Sequence, residues 1–560
     1  MAATGTTNEG TSASNLLATP VPTPTGSTRG ARFWLIFLAL GFSLFLSPLE
    51  LTSTSTALPS IIQDLNGNDF IWIASSYTLT STAILPMSGG LAEVFGRRPA
   101  MIFALSLFSI GSALCGSAQN MPWLIAARGV QGMGGGCILS ITNIIISDLV
   151  PLKERGFISG VLGLIWAMAA ALGPIIGGAL ADAGQWRWIF YLNLPICGVA
   201  LVLVLLLLNV PTPPGTLSSK LARLDWVGNT IIVGSTTACV IALTWAGVVY
   251  PWSSTRVLAP LIIGLCGLCF AVSYDARYAS NPLIPISVLS NRTTLSGYAQ
   301  TFFNPVITLT AIYYLPTYYQ ACKGASAIRS GVELFGLVMT LGPVVILTGI
   351  SVTKTNSYRW QCWVGWSLLL ISMGLLSTLH ADSTTGKAIG YPSLVGIGGG
   401  VVYAVTYFPV LAPLPVGESA KALAFFAFSR SFAGVWGVTV GGTILQNELS
   451  KHLPANYIDT LPDGVALIYG SISSISNLPE PTRTQVRQAF GNGIATIWKV
   501  MIGVAGAGFI SCIFMQDVPM HKKTDEKWGL EKKEESRELD TADKEAGEAM
   551  VSDRAGLGDD

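Results

Sequence analysis

Charge is scarce in this chain. Only 11% of its 560 residues are Asp, Glu, Lys or Arg, against about 25% in soluble domains. So large a deficit over so long a chain excludes an ordinary soluble enzyme and indicates a polytopic membrane protein. The formal net charge of +1 leaves no basic excess for a polyanion, so nucleic acid is not expected as a partner. No G-x-x-x-x-G-K-[ST] run exists, which excludes nucleotide hydrolysis by the usual phosphate cradle. Histidine is nearly absent: His380, His452 and His521 are the full set. With no Cys/His zinc spacing and no hydrolase serine elbow, neither a metal nor a cofactor nor a catalytic residue is expected. Energy for any work must come from an ion gradient or the substrate's own gradient.

What is abundant is apolar sequence, 51% of the chain. A membrane span needs about 20 predominantly apolar residues. Fourteen runs qualify: 33–56, 69–90, 100–118, 122–147, 157–181, 188–209, 225–247, 257–275, 295–319, 330–352, 360–379, 388–412, 422–446 and 494–516. The nine cysteines mostly fall inside these runs, where a thiol behaves as a small hydrophobe. Cys266 and Cys269 form a C-x-x-C within an apolar helix and read the same way. Residues 1–32 form a Thr/Ser/Gly/Pro-rich tail expected to be disordered. That stretch has no basic-then-apolar start, so the first span is expected to serve as the membrane address. The tail 517–560 is dense in Lys and Glu and reads as solvated.

Charge sets the expected orientation. With a cytosolic N-terminus, the even-to-odd connections hold Arg97, Arg98, Lys153, Arg155, Lys220, Arg223, Arg277, Arg292, Lys354, Arg359 and Lys421. The opposite short loops hold only Arg187, Arg256, Lys323, Arg329 and Lys387. Cytosolic loops carry the excess of basic residues, so both termini are expected inside. The long loop 447–493 is left out of that comparison.

Several short motifs carry mechanism. Residues 172–195 read LGPIIGGALADAGQWRWIFYLNLP. Ala169, Gly173 and Gly177 put small residues at every fourth position, which lets membrane helices approach closely. Pro174 frees the carbonyl of Ala170, so the helix can bend. Gly178 extends the small surface. Residues 89–101 read GGLAEVFGRRPAM. Gly89 permits close approach and Gly96 a tight turn. Arg97 and Arg98 suit acids or helix C-terminal carbonyls, and Glu93 suits a charge latch between neighbouring helices.

Two charges sit inside spans, where charge is costly and marks function. Glu50, in FLSPLELTSTSTALPSI, shares a helical face with Ser53, Thr54 and Ala57, so its carboxylate is expected to meet a polar cavity. Low dielectric favours a neutral carboxyl and a nearby arginine favours the charged form. A carboxylate whose partner changes with conformation can therefore carry a proton. Arg128, in RGVQGMGGG, shares a face with Gln131. Asp148, Lys153 and Arg155 follow as a cytosolic charge network. In the second half, Asn304, Tyr314, Tyr407, Phe426 and Arg430 join Gln131 as candidate substrate-cavity residues. Aromatic side chains there suit bulky amphipathic ligands, and Arg430 is a mid-span charge that needs a partner.

Taken together, these motifs resemble the fourteen-span drug:proton antiporter branch of the major facilitator superfamily, over residues 33–516. Gly89, Leu91, Glu93, Gly96, Arg97 and Arg98 match its signature loop, with Glu93 where the family usually has Asp. Arg128, Gln131 and Gly132 match its fourth-span motif, and Gly173, Pro174, Gly177 and Gly178 its antiporter motif. Glu50 with Ala57, Leu58 and Pro59 matches its first-span motif, which normally has Asp in place of Glu50. The resemblance implies an all-α fold of fourteen spans, arranged as six (33–209), two extra (within 210–275) and six (276–516). It implies that Glu50 carries the proton and Arg128 modulates it. The wording is most similar to fungal efflux pumps for toxins and secondary metabolites. A proton-coupled exporter of a small organic compound is the leading expectation, as a monomer in the plasma membrane or, alternatively, the vacuolar one. Rival readings are an importer or vacuolar carrier of basic amino acids or iron chelates, and a non-transporting membrane sensor.

Asn291-Arg292-Thr293 is the only glycosylation sequon, and the charge reading puts it on the cytosolic side. Endoglycosidase treatment of the protein from a secretory-competent host should leave its gel mobility unchanged; a shift abolished by Asn291→Gln would overturn the orientation.

Overall fold

The computed structural model describes residues 31–65, 71–150, 152–210, 212–222, 224–247, 249–278, 290–454, 457, 472, 475–516 and 518–520. Most of the two tails therefore lies outside the described residues. Among the described residues fourteen principal helices run in chain order: α1 (Ala31–Leu65), α2 (Ile71–Phe95), α3 (Arg97–Gly116), α4 (Met121–Leu149), α5 (Leu152–Asp182), α6 (Asn193–Leu207), α7 (Trp226–Trp245), α8 (Thr255–Arg277), α9 (Arg292–Lys323), α10 (Phe335–Thr355), α11 (Arg359–Leu376), α12 (Thr385–Val405), α13 (Ser419–His452) and α14 (Thr482–Ser511). A helix satisfies its own backbone polar groups, which is what an apolar medium demands. Eleven helical stretches among the described residues are long and apolar enough to cross a membrane. The remaining long helices, α2, α9 and α11, coincide with expected spans and are richer in hydroxyl, amide and aromatic groups.

Some boundaries differ from the sequence expectation. The segment 447–493 is not loop throughout: α13 continues to His452 and α14 begins at Thr482. Polar residues such as Asn447 and Gln485 pull down local hydropathy without breaking the helix. The run 388–412 is one helix broken at Thr406, with a short turn Tyr407–Leu411 after it.

Helices α1 to α6 pack on one another, chiefly α1 on α5 and α6, and α4 on α2 and α3. Helices α9 to α14 form a second bundle, with α9 on α13 and α14, and α12 between α10 and α11. The bundles meet where α5 lies along α10 and where α2 and α4 lie against α13. Helices α7 and α8 pair as a separate hairpin, and α7 leans on both α2 and α13. The turn at Gly96, with φ of 94°, lies at what we call the latch end of the bundles.

Small residues set the closest approaches. Ser53 of α1 donates to the carbonyl of Gly173 on α5 at 2.9 Å. A Cβ at Gly173 would overlap Thr52 and lie 2.8 Å from the Leu49 carbonyl, and one at Gly177 would overlap the Ser53 carbonyl. The fourfold spacing of Ala169, Gly173 and Gly177 is thus the α1–α5 seam. Gly178 follows on the same turn, and the side chain of Pro174 is outside the described set. Overpacking such a contact costs about 1–3 kcal/mol. Gly173→Ala should lower the thermal unfolding midpoint of the detergent-solubilised protein. Gly503→Ala, which meets open space, should leave that midpoint unchanged, and equal behaviour of the two would refute this account of the seam.

Candidate functional site

The charged centre of the first bundle joins α1 to α4. Arg128 is fully buried, and so is the Glu50 side chain. Arg128 Nη1 pairs directly with Glu50 Oε1. It also donates to Gln131 Oε1 at 2.9 Å, while Nε donates to the Ile73 carbonyl of α2 at 2.9 Å. The guanidinium carbon lies 4.5 Å from the Tyr77 ring centroid and 6.0 Å from that of Phe190, close enough for cation–π attraction. Thr54 Oγ1 donates weakly to Glu50 Oε1 at 3.5 Å. Glu50 Oε2 and Arg128 Nη2 have no hydrogen-bond partner among the described residues. The pair therefore holds one saturated contact and one unused polar atom on each side.

A hydrogen-bonded relay runs outward from it. Gln131 Nε2 donates to Ser112 Oγ of α3 at 2.7 Å, and Asn193 Nδ2 of α6 reaches the same oxygen at 3.4 Å. Ser47 and Tyr77 hydroxyls lie 2.6 Å apart. Two sequence expectations need correction here. Gln131 does not face a substrate cavity; it points into α3, against Gly111. Nor does the Glu50 face look into open polar space, because Ser53 bonds α5 and Glu50 turns to Arg128. A buried guanidinium draws the nearest carboxylate to itself, since breaking such a pair leaves an uncompensated charge.

The latch end carries the second set. Arg97 Nε donates to Asp148 Oδ2 at 2.8 Å and its Nη1 to the Ala92 carbonyl at 3.0 Å. Arg98 bonds Asn209 Oδ1 at 3.0 Å and the Leu205 carbonyl at 2.6 Å, gripping the end of α6. Glu93 Oε2 lies 3.6 Å from Lys421 Nζ on α13, a salt bridge between the bundles. Beside it, a Cβ at Gly89 would stand 2.8 Å from Ala424 Cβ. Thr82 and Ser431 hydroxyls are 2.7 Å apart one layer deeper. Gly89, Glu93, Gly96, Arg97 and Arg98 are thus brought together, and the latch end is shut. Asp148 and Lys421 complete this network; their charges beside the span ends were the available signal.

At the opposite end, Arg187 of the Trp-Arg-Trp cluster bonds Asp64 Oδ2 at 2.7 Å, with Trp186 Nε1 at 3.1 Å. The Arg187 hydrogen bond, then that of Trp186, holds the Asp64 carboxyl below its ordinary value. This contact's contribution is present above the ordinary carboxylate range and fades as pH falls through the lowered value.

The second-half candidates are dispersed. Tyr314 donates to the Val438 carbonyl and packs on Gly441, a helix-seam position rather than a cavity wall. Asn304 Nδ2 reaches the Gly399 carbonyl at 3.4 Å, and its Oδ1 has no partner among the described residues. Tyr407 sets its ring edge-on to Phe426 at 5.6 Å. Arg430 lies over both Tyr403 and Phe426. Only Tyr407, Phe426 and Arg430 form a local cluster.

The family model described as Major Facilitator Superfamily matches residues 40–438. The chain belongs to the Major Facilitator Superfamily. Its family is one of membrane transporters rather than enzymes, and the protein is a multi-pass membrane protein of this superfamily. Among its relatives is the efflux pump FUS6 of Gibberella fujikuroi, 38% identical over 91% of this chain and 93% of that protein. The MFS-type efflux pump LUC4 of a Fusarium species is 37% identical over 93% and 94%. The acurin A biosynthesis cluster MFS-type transporter of Aspergillus aculeatus is 35% identical over 90% and 92%. The human organic anion transporter MFSD10 (TETRAN) shares the superfamily fold, with a TM-score of 0.56 at 12% identity, covering 85% of this chain and all of that one.

If the latch end opens and shuts during the superfamily's work cycle, Gly89→Cys with Ala424→Cys should cross-link under mild oxidant and block transport, with recovery on reduction. A cross-linked protein that transports at the uncross-linked rate would show that the α2–α13 contact does not move.

Proposed function

We propose that this chain is a proton-coupled exporter of a small organic compound, a toxin or secondary metabolite, working by alternating access. The observation that carries the coupling is the fully buried Glu50–Arg128 pair with its unused Glu50 Oε2. Protonating Glu50 cancels its charge and releases Arg128 to other partners, so a proton changes which contacts hold α1 to α4. The direction of transport is supported by the relatives that bear the name efflux pump, and the substrate class by the biosynthesis-cluster relative. With the latch end cytosolic, as the basic loops argue, the end that is shut here is the one facing the cytosol. Glu93 with Lys421 holds it shut, Arg97 and Arg98 keep the turn at Gly96 in shape within the first bundle, and the α1–α5 seam at Gly173 and Gly177 keeps that bundle rigid while it rocks. In this reading spans one to six and nine to fourteen are the two moving halves and α7–α8 is an insertion. Both termini are cytosolic, and a monomer in the plasma membrane suffices.

The decisive measurement is proton flux in vesicles containing the purified protein during addition of candidate compounds, for wild type and Glu50→Gln. Substrate-driven proton movement is expected in wild type alone, while substrate-for-substrate exchange survives in Glu50→Gln and shows that it is folded. Equal proton movement in both would place the coupling elsewhere. Substrate uptake with no proton movement in wild type would refute proton coupling altogether.

A further inference from the structure

Three buried donors with no hydrogen bond of good geometry, Arg155 Nη1, Tyr407 Oη and Arg430 Nε, converge where the two bundles meet near the latch end. Arg155 of α5 is fully buried; its Nε donates to the Val150 carbonyl at 2.7 Å and its Nη2 to the Ser147 carbonyl. These contacts close the C-terminal turn of α4, and Arg155 Nη1 is left over. Tyr407, more than nine-tenths buried, interacts electrostatically with Arg155 across the junction. Its hydroxyl lies towards the Arg155 guanidinium but makes no hydrogen bond of good geometry within the described residues. On the other side of Tyr407 stands Arg430, also within its electrostatic reach. Arg430 lies 3.7 Å from the Tyr403 ring centroid and 4.6 Å from that of Phe426. Both of its hydrogen bonds leave from Nη2, to the Tyr403 carbonyl at 3.3 Å and Thr406 Oγ1 at 3.4 Å. Its Nε is buried and unpartnered.

One carboxylate, Asp148, faces this cluster from the Arg155 side, and it is shared with Arg97. Three carboxylates of the first bundle are each paired with another cation: Asp148, which also lies within electrostatic reach of Arg155, with Arg97, Glu93 with Lys421, and Glu50 with Arg128. No carboxylate among the described residues forms a salt bridge with Arg155 or Arg430. Helix C-terminal carbonyls offset part of each charge, but two guanidinium groups inside an apolar bundle still call for an anion. A guanidinium offers donors only and suits an oxyanion geometrically. Phe426 and Tyr403 add flat apolar area beside it.

We propose that Arg430, with Tyr407 and Arg155, receives an anionic oxygen group of the transported compound, and that the substrates are amphipathic organic acids. This deepens the export reading above and rests on it. Arg430 and Tyr407 belong to the second bundle and Arg155 to the first. Separation of the bundles at this end opens the site to the cytosol, and their closure brings the third donor onto the anion.

The test uses the full chain in yeast cells stripped of their own efflux pumps. Intracellular accumulation is measured for matched sets of aromatic carboxylates, the primary amides of the same skeletons, and their quaternary ammonium counterparts. Wild type should lower accumulation of the carboxylates most. Losing a charge-assisted hydrogen bond corresponds to about ten- to hundredfold, so Arg430→Gln should cut carboxylate export by that order and erase the preference. Arg430→Lys should keep part of it, and Tyr407→Phe, which removes one hydroxyl, should lose a smaller share. If Arg430→Gln does not reach the membrane, the Arg430→Lys and Tyr407→Phe pair decides. Amides or ammonium compounds exported as well as the acids would overturn the proposal, as would wild-type carboxylate export by the variants. Protection against no compound of any class would instead bring down the export reading, and this one with it.

Discussion

One guanidinium sets the terms for the first bundle. Arg128 lies within the first third of α4, in an apolar protein, with no exposure to solvent. Its charge can stay there only if its surroundings supply acceptors and ring faces, and its own helix and three other segments answer. Helix α1 gives Glu50, α2 gives the Ile73 carbonyl and the Tyr77 ring, and α4 itself gives Gln131. The segment leading into α6 adds Phe190. Removing the counter-charge from a buried pair costs roughly 3–5 kcal/mol, a large share of a typical protein's whole stability. The same dependence makes the pair a switch. A proton on Glu50 would leave Arg128 to settle on a different set of acceptors, and those acceptors sit on different helices.

The fold was readable because its signals are redundant. A span is announced by some twenty residues at once, so Asn304 or Tyr313 within α9 did not hide it, and the motifs carried their own spacing. The Ala169, Gly173 and Gly177 stripe was legible as a close seam because fourfold spacing leaves no other geometry. The partner helix was not legible, since any neighbour accepts a small-residue groove. The site was harder for the same reason. Gln131 looked cavity-facing from its place beside Arg128, yet a residue three positions on can equally bond a neighbouring helix, and Ser112 was the partner that decided it. Tyr314 was drawn into the α9–α13 seam by Gly441, which lies beyond α10, α11 and α12 along the chain, away from any local cue. Arg155 and Tyr407 meet only because two bundles meet, and nothing within a single segment encodes that.

The latch end works through several weak contacts rather than one strong one. The Glu93–Lys421 pair is partly exposed and 3.6 Å apart, so it contributes little alone. The Gly89–Ala424 approach and the Thr82–Ser431 hydroxyl pair add short-range complementarity. Arg97 with Asp148, by contrast, is buried within one bundle and holds the turn at Gly96 in shape. Strong bonds thus lie inside each body and weak ones between them, which is the arrangement a reversible joint requires.

The α7–α8 hairpin touches both sides of that joint, but not equally. Trp252 Nε1 donates to Thr443 Oγ1 of α13 at 2.8 Å, and the Thr443 hydroxyl lies 3.4 Å from the Ala246 carbonyl. Towards α2 the contacts among the described residues are apolar: Trp245 meets Trp72 edge-on at 6.1 Å, and Cys239 and Val240 share a cluster with Leu85. Hydrogen bonds fix register, whereas smooth apolar faces can slide at small cost. Any relative motion of the two bundles therefore carries the hairpin along with α13 as ballast, and the slip plane runs along the face of α2.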